Sequence, residues 1–454
     1  MNGCLKKAWK ALVVLAAFIC IFTCCGYAGG DDGSEKTTHA ENSNTAVKET
    51  PGDPGKKENG RNNAHWLDPR QTGGDADLTG AAINNMSLEE KIGQMFIIGF
   101  DGSEPDVKLK EMICEKHVGG VVLFRRNVVS PEQLLGLLNS IKTINAGCTG
   151  NNAGNGRISA RAPLFISVDE EGGSVSRMPG ELAELPTAFS IGETGDINCA
   201  YEMGSLIAEM IKAFGFNMNF APVLDIWSNP RNTVIGDRSY GQDPDIVARL
   251  GVQAMKGISG EGVIPVVKHF PGHGDTVADS HKELPKVNHS LDRLMNFELV
   301  PFKEAIVNNA DVVMVGHILL TEIDPEYPAT LSEAVITGLL RGKMQFDGLV
   351  ITDDMTMGAI EENYNIGDAA VRSIIAGCDI ILVCHGYREQ KEAVEAVKAA
   401  VAAGSITEAR INESVQRILE LKKKYGLTDN PVDTVDVDGI NKKIEALKVK
   451  WYNR

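Results

Sequence analysis

Basic charge is scarce in this chain: 45 Lys and Arg face 61 Asp and Glu, a formal net charge of −16. That balance argues against nucleic acid as a partner, because binding a phosphate backbone needs a basic stripe to displace counterions. A neutral or modestly charged ligand fits better. A paired-cysteine framework is also lacking. Four of the nine cysteines fall in the first 25 residues, and the other five (Cys114, Cys148, Cys199, Cys378 and Cys384) are scattered and odd in number. They read as small buried apolar residues, with no metal-ligand spacing among them. The glycine-rich stretches form neither a G-x-G-x-x-G nor a phosphate-loop signature, so a nucleotide cofactor has no support and no cofactor is expected.

The N-terminus departs from the acidic pattern. Lys6, Lys7 and Lys10 precede an apolar run over 11–25 and then Gly26-Tyr27-Ala28, which together read as an export signal over 1–28. Cleavage after Ala28 and lipidation of Cys24 or Cys25 behind the imperfect lipobox Ile21-Phe22-Thr23 both stay open, with a retained anchor as a third outcome. The run is shorter than the roughly 20 residues that a spanning helix prefers. The expected location is outside the cell or on the outer face of its membrane, with membrane contact only through the leader or its lipid. Residues 29–80 are rich in Gly, Asn, Asp, Lys and Thr and nearly free of aliphatic side chains, so they read as a disordered tether. Periodic apolar structure starts at Met86, where Ser87 and Glu90 have capping-box spacing.

With 43% hydrophobic residues in 454, the rest can bury a large core. Short β-rich apolar runs alternate with longer helical patterns, and the runs number eight: 95–100, 120–124, 164–169, 217–225, 264–270, 312–317, 349–353 and 380–385. Most gaps hold an amphipathic stretch, such as 131–141 or 331–344. Apolar strands separated by helices imply a parallel sheet covered on both faces. Eight such units predict a single closed (β/α)8 TIM-type barrel over 81–428, with an open doubly wound sheet as the alternative. Runs three to eight end in polar residues (Asp169-Glu170-Glu171, Asp225, Lys268-His269, His317, Asp353-Asp354 and His385), and barrel enzymes build their sites at that end. Residues 406–427 predict a closing amphipathic helix whose cationic turn Lys422-Lys423-Lys424 suits the helix dipole. Residues 429–454 read as a short tail.

The fifth run leads into KHFPGHGDTVADSH, residues 268–281. Its three histidines raise the question of a metal, but their spacings of four and eight, broken by Pro271 and two glycines, do not suit one, and no metal is expected. A polar loop leaving a barrel strand fits better, with Pro271-Gly272 turning the chain. Asp279, two residues before His281, can accept the imidazole's second N–H and make the pair an acid/base; an isolated D-x-H is otherwise commonly surface decoration. Asp353 or Asp354 at the end of run seven could be a nucleophile, against which stands a helix N-cap role, above all for Asp354. Asp169 heads three acids that need a cation to share their charge. Arg177 is near in sequence, and a carboxylate can also bind sugar hydroxyls.

Together VDEEGGSVSR (168–177), FAPVLDI (220–226), IGDRSYGQDP (235–244), KHFPGHGDTVADSH (268–281) and ITDDMTMGAI (351–360) closely resemble glycoside hydrolase family 3, in its β-N-acetylglucosaminidase branch. The resemblance runs from about residue 88 to 427. It implies Asp353 as nucleophile, His281 as acid/base with Asp279 as its partner, and Asp169, Arg177, Arg238, Lys268 and His269 around the non-reducing-end sugar. It also implies retention through a glycosyl-enzyme intermediate and a substrate containing N-acetylglucosamine, such as a peptidoglycan-derived fragment. Ser174 stands where the family motif often has a basic residue, which leaves nearby subsite contacts in doubt. Some relatives carry a second C-terminal domain; here a self-sufficient, monomeric barrel is expected. The rivals are phosphorolysis, which an uncharged acid/base would permit, β-glucosidase or β-xylosidase activity, and a surface sugar-binding protein without catalysis.

Overall fold

The computed structural model describes residues 75–148, 161–276 and 279–452. The expected export signal and most of the tether lie outside them. Ten strands are present among the described residues: β1 (Phe96–Ile98), β2 (Gly120–Leu123), β3 (Phe165–Val168), β4 (Met218–Asn219), β5 (Ile264–Phe270), β6 (Lys286–Val287), β7 (Val312–Val315), β8 (Leu319–Leu320), β9 (Leu349–Asp354) and β10 (Ile380–Val383). Eight of them close a barrel in the order β1-β2-β3-β4-β5-β7-β9-β10, and β6 and β8 form a separate two-stranded pair. Every barrel pairing is parallel. Closure rests on β1 and β10, where Phe96 pairs with Ile381 and Ile98 with Val383. An open sheet is thereby excluded, and the single (β/α)8 barrel expected from eight apolar runs is the fold.

The barrel strands are buried along their whole length, except for Asp353 and Asp354 at the end of β9. One face of each strand fills the barrel and the other meets the helices, which is why the runs read as apolar without alternation. The helices start where their sequences dictate. Ser87 and Glu90 exchange both capping-box bonds. Ser130 caps Pro131–Gly147 and Asp243 caps Pro244–Gly260, each followed by Pro at the first helical position, where the missing N–H costs nothing. No described helix is long and apolar enough to cross a membrane.

Four features differ from expectation. Cys114 and Cys148 form a disulfide. They lie at the C-terminal ends of the adjacent helices Val107–Cys114 and Pro131–Gly147, a meeting that a separation of 34 residues does not advertise. The remaining described cysteines, Cys199, Cys378 and Cys384, are free and buried, as read. Lys422 stands with Lys423 and Lys424 in the last turn of the helix Glu408–Lys424, as expected, but not at the surface. It is buried, donates to Gln94 Oε1 (2.8 Å) and Gly119 O (2.9 Å), and burial pushes its ammonium down to about 7. At the N-terminal boundary, the helix Asp75–Asn85 begins inside the segment assigned to the tether. At the other end, Val437–Tyr452 is a helix that buries Ile440, Ile444 and Leu447 beside the helix Ile197–Phe214.

Candidate active site

The C-terminal ends of the strands surround a cavity of about 260 Å³. Phe124 follows β2, Asp169 follows β3, Phe220 follows β4, Lys268 and His269 end β5, Met314 lies on β7, Asp353 and Asp354 end β9, and Cys384 and His385 follow β10; all line it. Of the eight residues singled out in the sequence, seven line this one cavity. The eighth, Asp279, stands behind His281.

Lys268 organises one wall. Its Nζ lies 2.6 Å from Asp169 Oδ1 and 2.7 Å from Glu171 Oε1. Arg238, from the turn Gly236–Arg238, grips Glu171 with two parallel bonds of 2.8 Å. Burial opposes the ionisation of Glu171, but the Arg238 and Lys268 charges hold its carboxyl well below the usual range. Burial likewise works against the Lys268 ammonium, and Asp169 and Glu171 raise it nevertheless. A fully compensated group of this kind presents fixed donors and acceptors to sugar hydroxyls. Lys268 and Arg238 thus share the charge of Asp169 and Glu171, while the Arg177 charge acts on Glu170. Arg177 lines the cavity, and its backbone N–H donates to Glu170 Oε2 at 2.8 Å.

Asp225 anchors the start of the histidine-bearing loop. Fully buried, it accepts from His269 Nδ1 (2.7 Å) and from the His273 N–H (2.6 Å). Burial works against its charge, but His269, then His273, keep it below the ordinary range. His273 places Nδ1 2.6 Å from Thr276 Oγ1 and Nε2 3.0 Å from Ser280 Oγ, tying together two turns of the loop; burial lowers its pKa. At Gly274 a Cβ would fall 1.7 Å from Ile226 O, so only glycine lets the loop pass there. Both ring nitrogens of His273 are thereby engaged, whereas His269 uses Nδ1 alone for Asp225. The sequence showed Asp225 as a charge closing an otherwise apolar run, and a buried charge requires a partner; its two histidine contacts could not be read from spacing.

Asp353 lines the cavity from the end of β9. Burial would raise its carboxyl, but His269 and His317, the Asp354 N–H at 2.8 Å and Lys268 hold it below the usual range, as a nucleophilic carboxylate requires. His317 sits beneath the site: its Nε2–H donates to Asp354 O and its Nδ1 lies beside Thr330 Oγ1, both at 2.8 Å, and burial lowers its pKa. Asp354 caps no helix. Its Oδ1 accepts from the N–H of Thr356 (3.0 Å) and of Cys384 (2.9 Å), pinning the turn after β9 to β10.

His281 lines the cavity from the far end of the loop, with its side chain 64% exposed. Its Nδ1 lies 2.8 Å from Asp279 Oδ1, which also accepts the His281 N–H at 3.0 Å. A carboxylate on Nδ1 makes that nitrogen the donor and leaves Nε2 for exchange with a substrate oxygen. The N–H groups of Gly358 and Ala359 donate to the carbonyls of His281 and Ser280, so the loop end rests on the segment that follows β9. Ser174, where the motif departs from its usual pattern, donates to Asp237 Oδ1 at 3.3 Å and is not among the cavity-lining residues.

The family model "Glycosyl hydrolase family 3 N terminal domain" matches residues 87–421. Among curated proteins, beta-hexosaminidase A of Pseudoalteromonas piscicida is 33% identical over 340 residues, 70% of this chain and 55% of that protein. A beta-hexosaminidase of Alkalilimnicola ehrlichii is 34% identical, covering 66% of this chain and 82% of its own length. This chain therefore spans little more than half of the first of these relatives. Among solved structures, a glycoside hydrolase family 3 beta-N-acetylglucosaminidase from a Paenibacillus strain superposes with a TM-score of 0.74 at 43% identity, covering 81% of this chain and 69% of that one.

Proposed function

The chain belongs to glycosyl hydrolase family 3, and from that premise we propose that it is a retaining exo-β-N-acetylglucosaminidase. The observation that carries this reading is a low-pKa carboxylate, Asp353, in the same cavity as an imidazole, His281, whose Nδ1 is held by Asp279. In the first step an Asp353 oxygen attacks the anomeric carbon. The glycosidic C–O bond breaks, and His281 gives its Nε2 proton to the leaving oxygen. In the second step neutral His281 takes a proton from water, the water oxygen attacks the same carbon, and the ester to Asp353 breaks. Two inversions give net retention. Asp169, Arg177, Arg238, Lys268 and His269 hold the terminal sugar; the names of the relatives point to one bearing a 2-acetamido group.

The natural substrate is proposed to be a cell-wall fragment met after export. The basic-then-apolar leader supports this, as does the Cys114–Cys148 disulfide, a bond that persists in oxidising compartments. All the site residues come from one barrel, which supports action as a monomer. The experiment is a panel of aryl glycosides with and without the 2-acetamido group. Release from the N-acetylglucosaminide alone is expected; equal or faster release from a glucoside or xyloside would overturn the assignment.

A further inference from the structure

Between Asp169 and Glu171, the two acids bound to Lys268, stands an acid that touches neither cation bound to them. Glu170 is fully buried. One of its oxygens, Oε2, gathers two donors, the Ser176 hydroxyl (3.0 Å) and the Arg177 N–H (2.8 Å). The other, Oε1, is buried without a partner. The residue's own backbone is clamped on both sides by Asn219 of β4, which accepts from the Glu170 N–H (3.0 Å) and donates to its carbonyl (2.9 Å). Between these points the chain makes a tight excursion. Gly172 and Gly173 adopt φ of +83° and +54°, Gly172 bridges to Val175, and the Glu171 N–H donates to Val175 O at 3.0 Å. The bond from Glu170 Oε2 to the Arg177 N–H closes that excursion. It fixes where the backbone of Arg177 departs and hence where its side chain enters the cavity.

We propose that Glu170 is a positioning residue for sugar binding: its carboxyl closes the 171–177 loop and thereby sets Arg177 against the substrate. The inference rests on the sugar-binding role proposed for Arg177. An ionised carboxylate with one oxygen buried away from any protein donor is disfavoured. Burial accordingly pushes Glu170 up to about 7, against the pull of the Arg177 N–H, the Ser176 hydroxyl and the Arg177 charge and with the help of the Glu171 charge. The proton belongs on Oε1, since Oε2 already accepts twice. Glutamine satisfies the same geometry, because its amide oxygen can take both donors.

The test is a set of kinetic cycles with an aryl N-acetylglucosaminide on the acid side of neutrality. Glu170→Met keeps the volume but removes the acceptor, and should raise KM about tenfold with kcat changed far less. Glu170→Gln should restore KM. In an Arg177→Ala background Glu170→Met should raise KM no further, because both changes remove one function. Ser176→Ala, at an exposed position that does not endanger folding, should raise KM by roughly threefold and lose that effect in the same background. An equal rise in both backgrounds, or a Gln variant as damaged as the Met variant, would overturn the proposal. Arg177→Ala with unchanged KM would contradict the sugar-binding role of Arg177 itself, and this inference with it; a raised KM there, with Glu170→Met and Ser176→Ala silent, would contradict this inference alone.

Discussion

The Ala359 N–H donates to the Ser280 carbonyl at 3.1 Å, and beside it the Gly358 N–H donates to the His281 carbonyl at 3.3 Å. The loop that carries the proposed acid/base is thus fastened to the segment just after the strand that carries the proposed nucleophile. A Cβ at Gly358 would fall 2.7 Å from His281 O and 3.0 Å from Lys282 O, both backbone atoms, so the two segments must part. Gly358→Ala should lower kcat about tenfold while KM changes little, since a small misplacement of a catalytic group falls on the transition state. Steady-state kinetics check this, and an unchanged kcat would show that the contact does not matter.

His281→Ala removes the proton donor but no part of the Asp169–Glu171–Lys268 cluster. Turnover of a substrate with a poor leaving group should fall by roughly 10²–10⁴, with a much smaller loss for a dinitrophenyl glycoside, whose leaving oxygen needs no proton. Initial rates across a series of leaving groups measure this. A variant with normal turnover but weakened binding would place His281 among the sugar contacts instead.

Glu170 and Glu171 are neighbours with opposite pH linkage. The Glu171 carboxyl is depressed from its ordinary 4.5, so the stability it contributes is present above that value and is lost as pH falls below it. The Glu170 carboxyl is raised from 4.5 to about 7. Between those values the unfolded chain has released this proton while the native one keeps it, so stability falls as pH rises through that window and stays lower above it. Glu170→Gln should therefore melt higher than the wild type above neutrality, by up to about 3 kcal/mol of stability, and lose that advantage near pH ~4.5. Thermal melts across the range would show it. A constant difference at every pH would mean that Glu170 does not titrate as described.

An acid/base without negative charge would not repel a phosphate nucleophile, so hydrolysis has to be tested against phosphorolysis directly. The expected product is free sugar, formed at the same rate with or without inorganic phosphate. A glycosyl phosphate in the product mixture, with a rate that rises with phosphate, would reassign the second step.

The barrel was legible because its strands are covered on both sides. Val121, Ile166, Val266, Val313, Val350 and Leu382 are all buried, so each strand appears as an unbroken apolar run and the runs can be counted. Charged residues closing those runs marked the rim, which is why Asp169, Lys268, His269 and Asp353 could be named from sequence. Pairings across the barrel left no such mark. That Lys268 meets Glu171 as well as Asp169, or that Asp225 holds both His269 and His273, depends on which strands become neighbours. The same holds for Cys114 with Cys148 and for Lys422, whose burial beneath the barrel depends on Gln94 and Gly119, more than 300 residues away. Spacing along one element predicts a capping box such as that of Ser87 and Glu90, but not a partner on another strand.

The central claim is that Asp353 becomes covalently bound to the sugar. The direct measurement is intact-protein and peptide mass spectrometry after incubation with a fluorinated, activated N-acetylglucosaminyl donor that forms the intermediate faster than water removes it. The account predicts one sugar added per chain, located on Asp353, and neither an adduct nor appreciable turnover in Asp353→Asn, whose folding is verified by its melting curve. An adduct on another residue, or a folded Asp353→Asn protein with near-normal turnover, would contradict it.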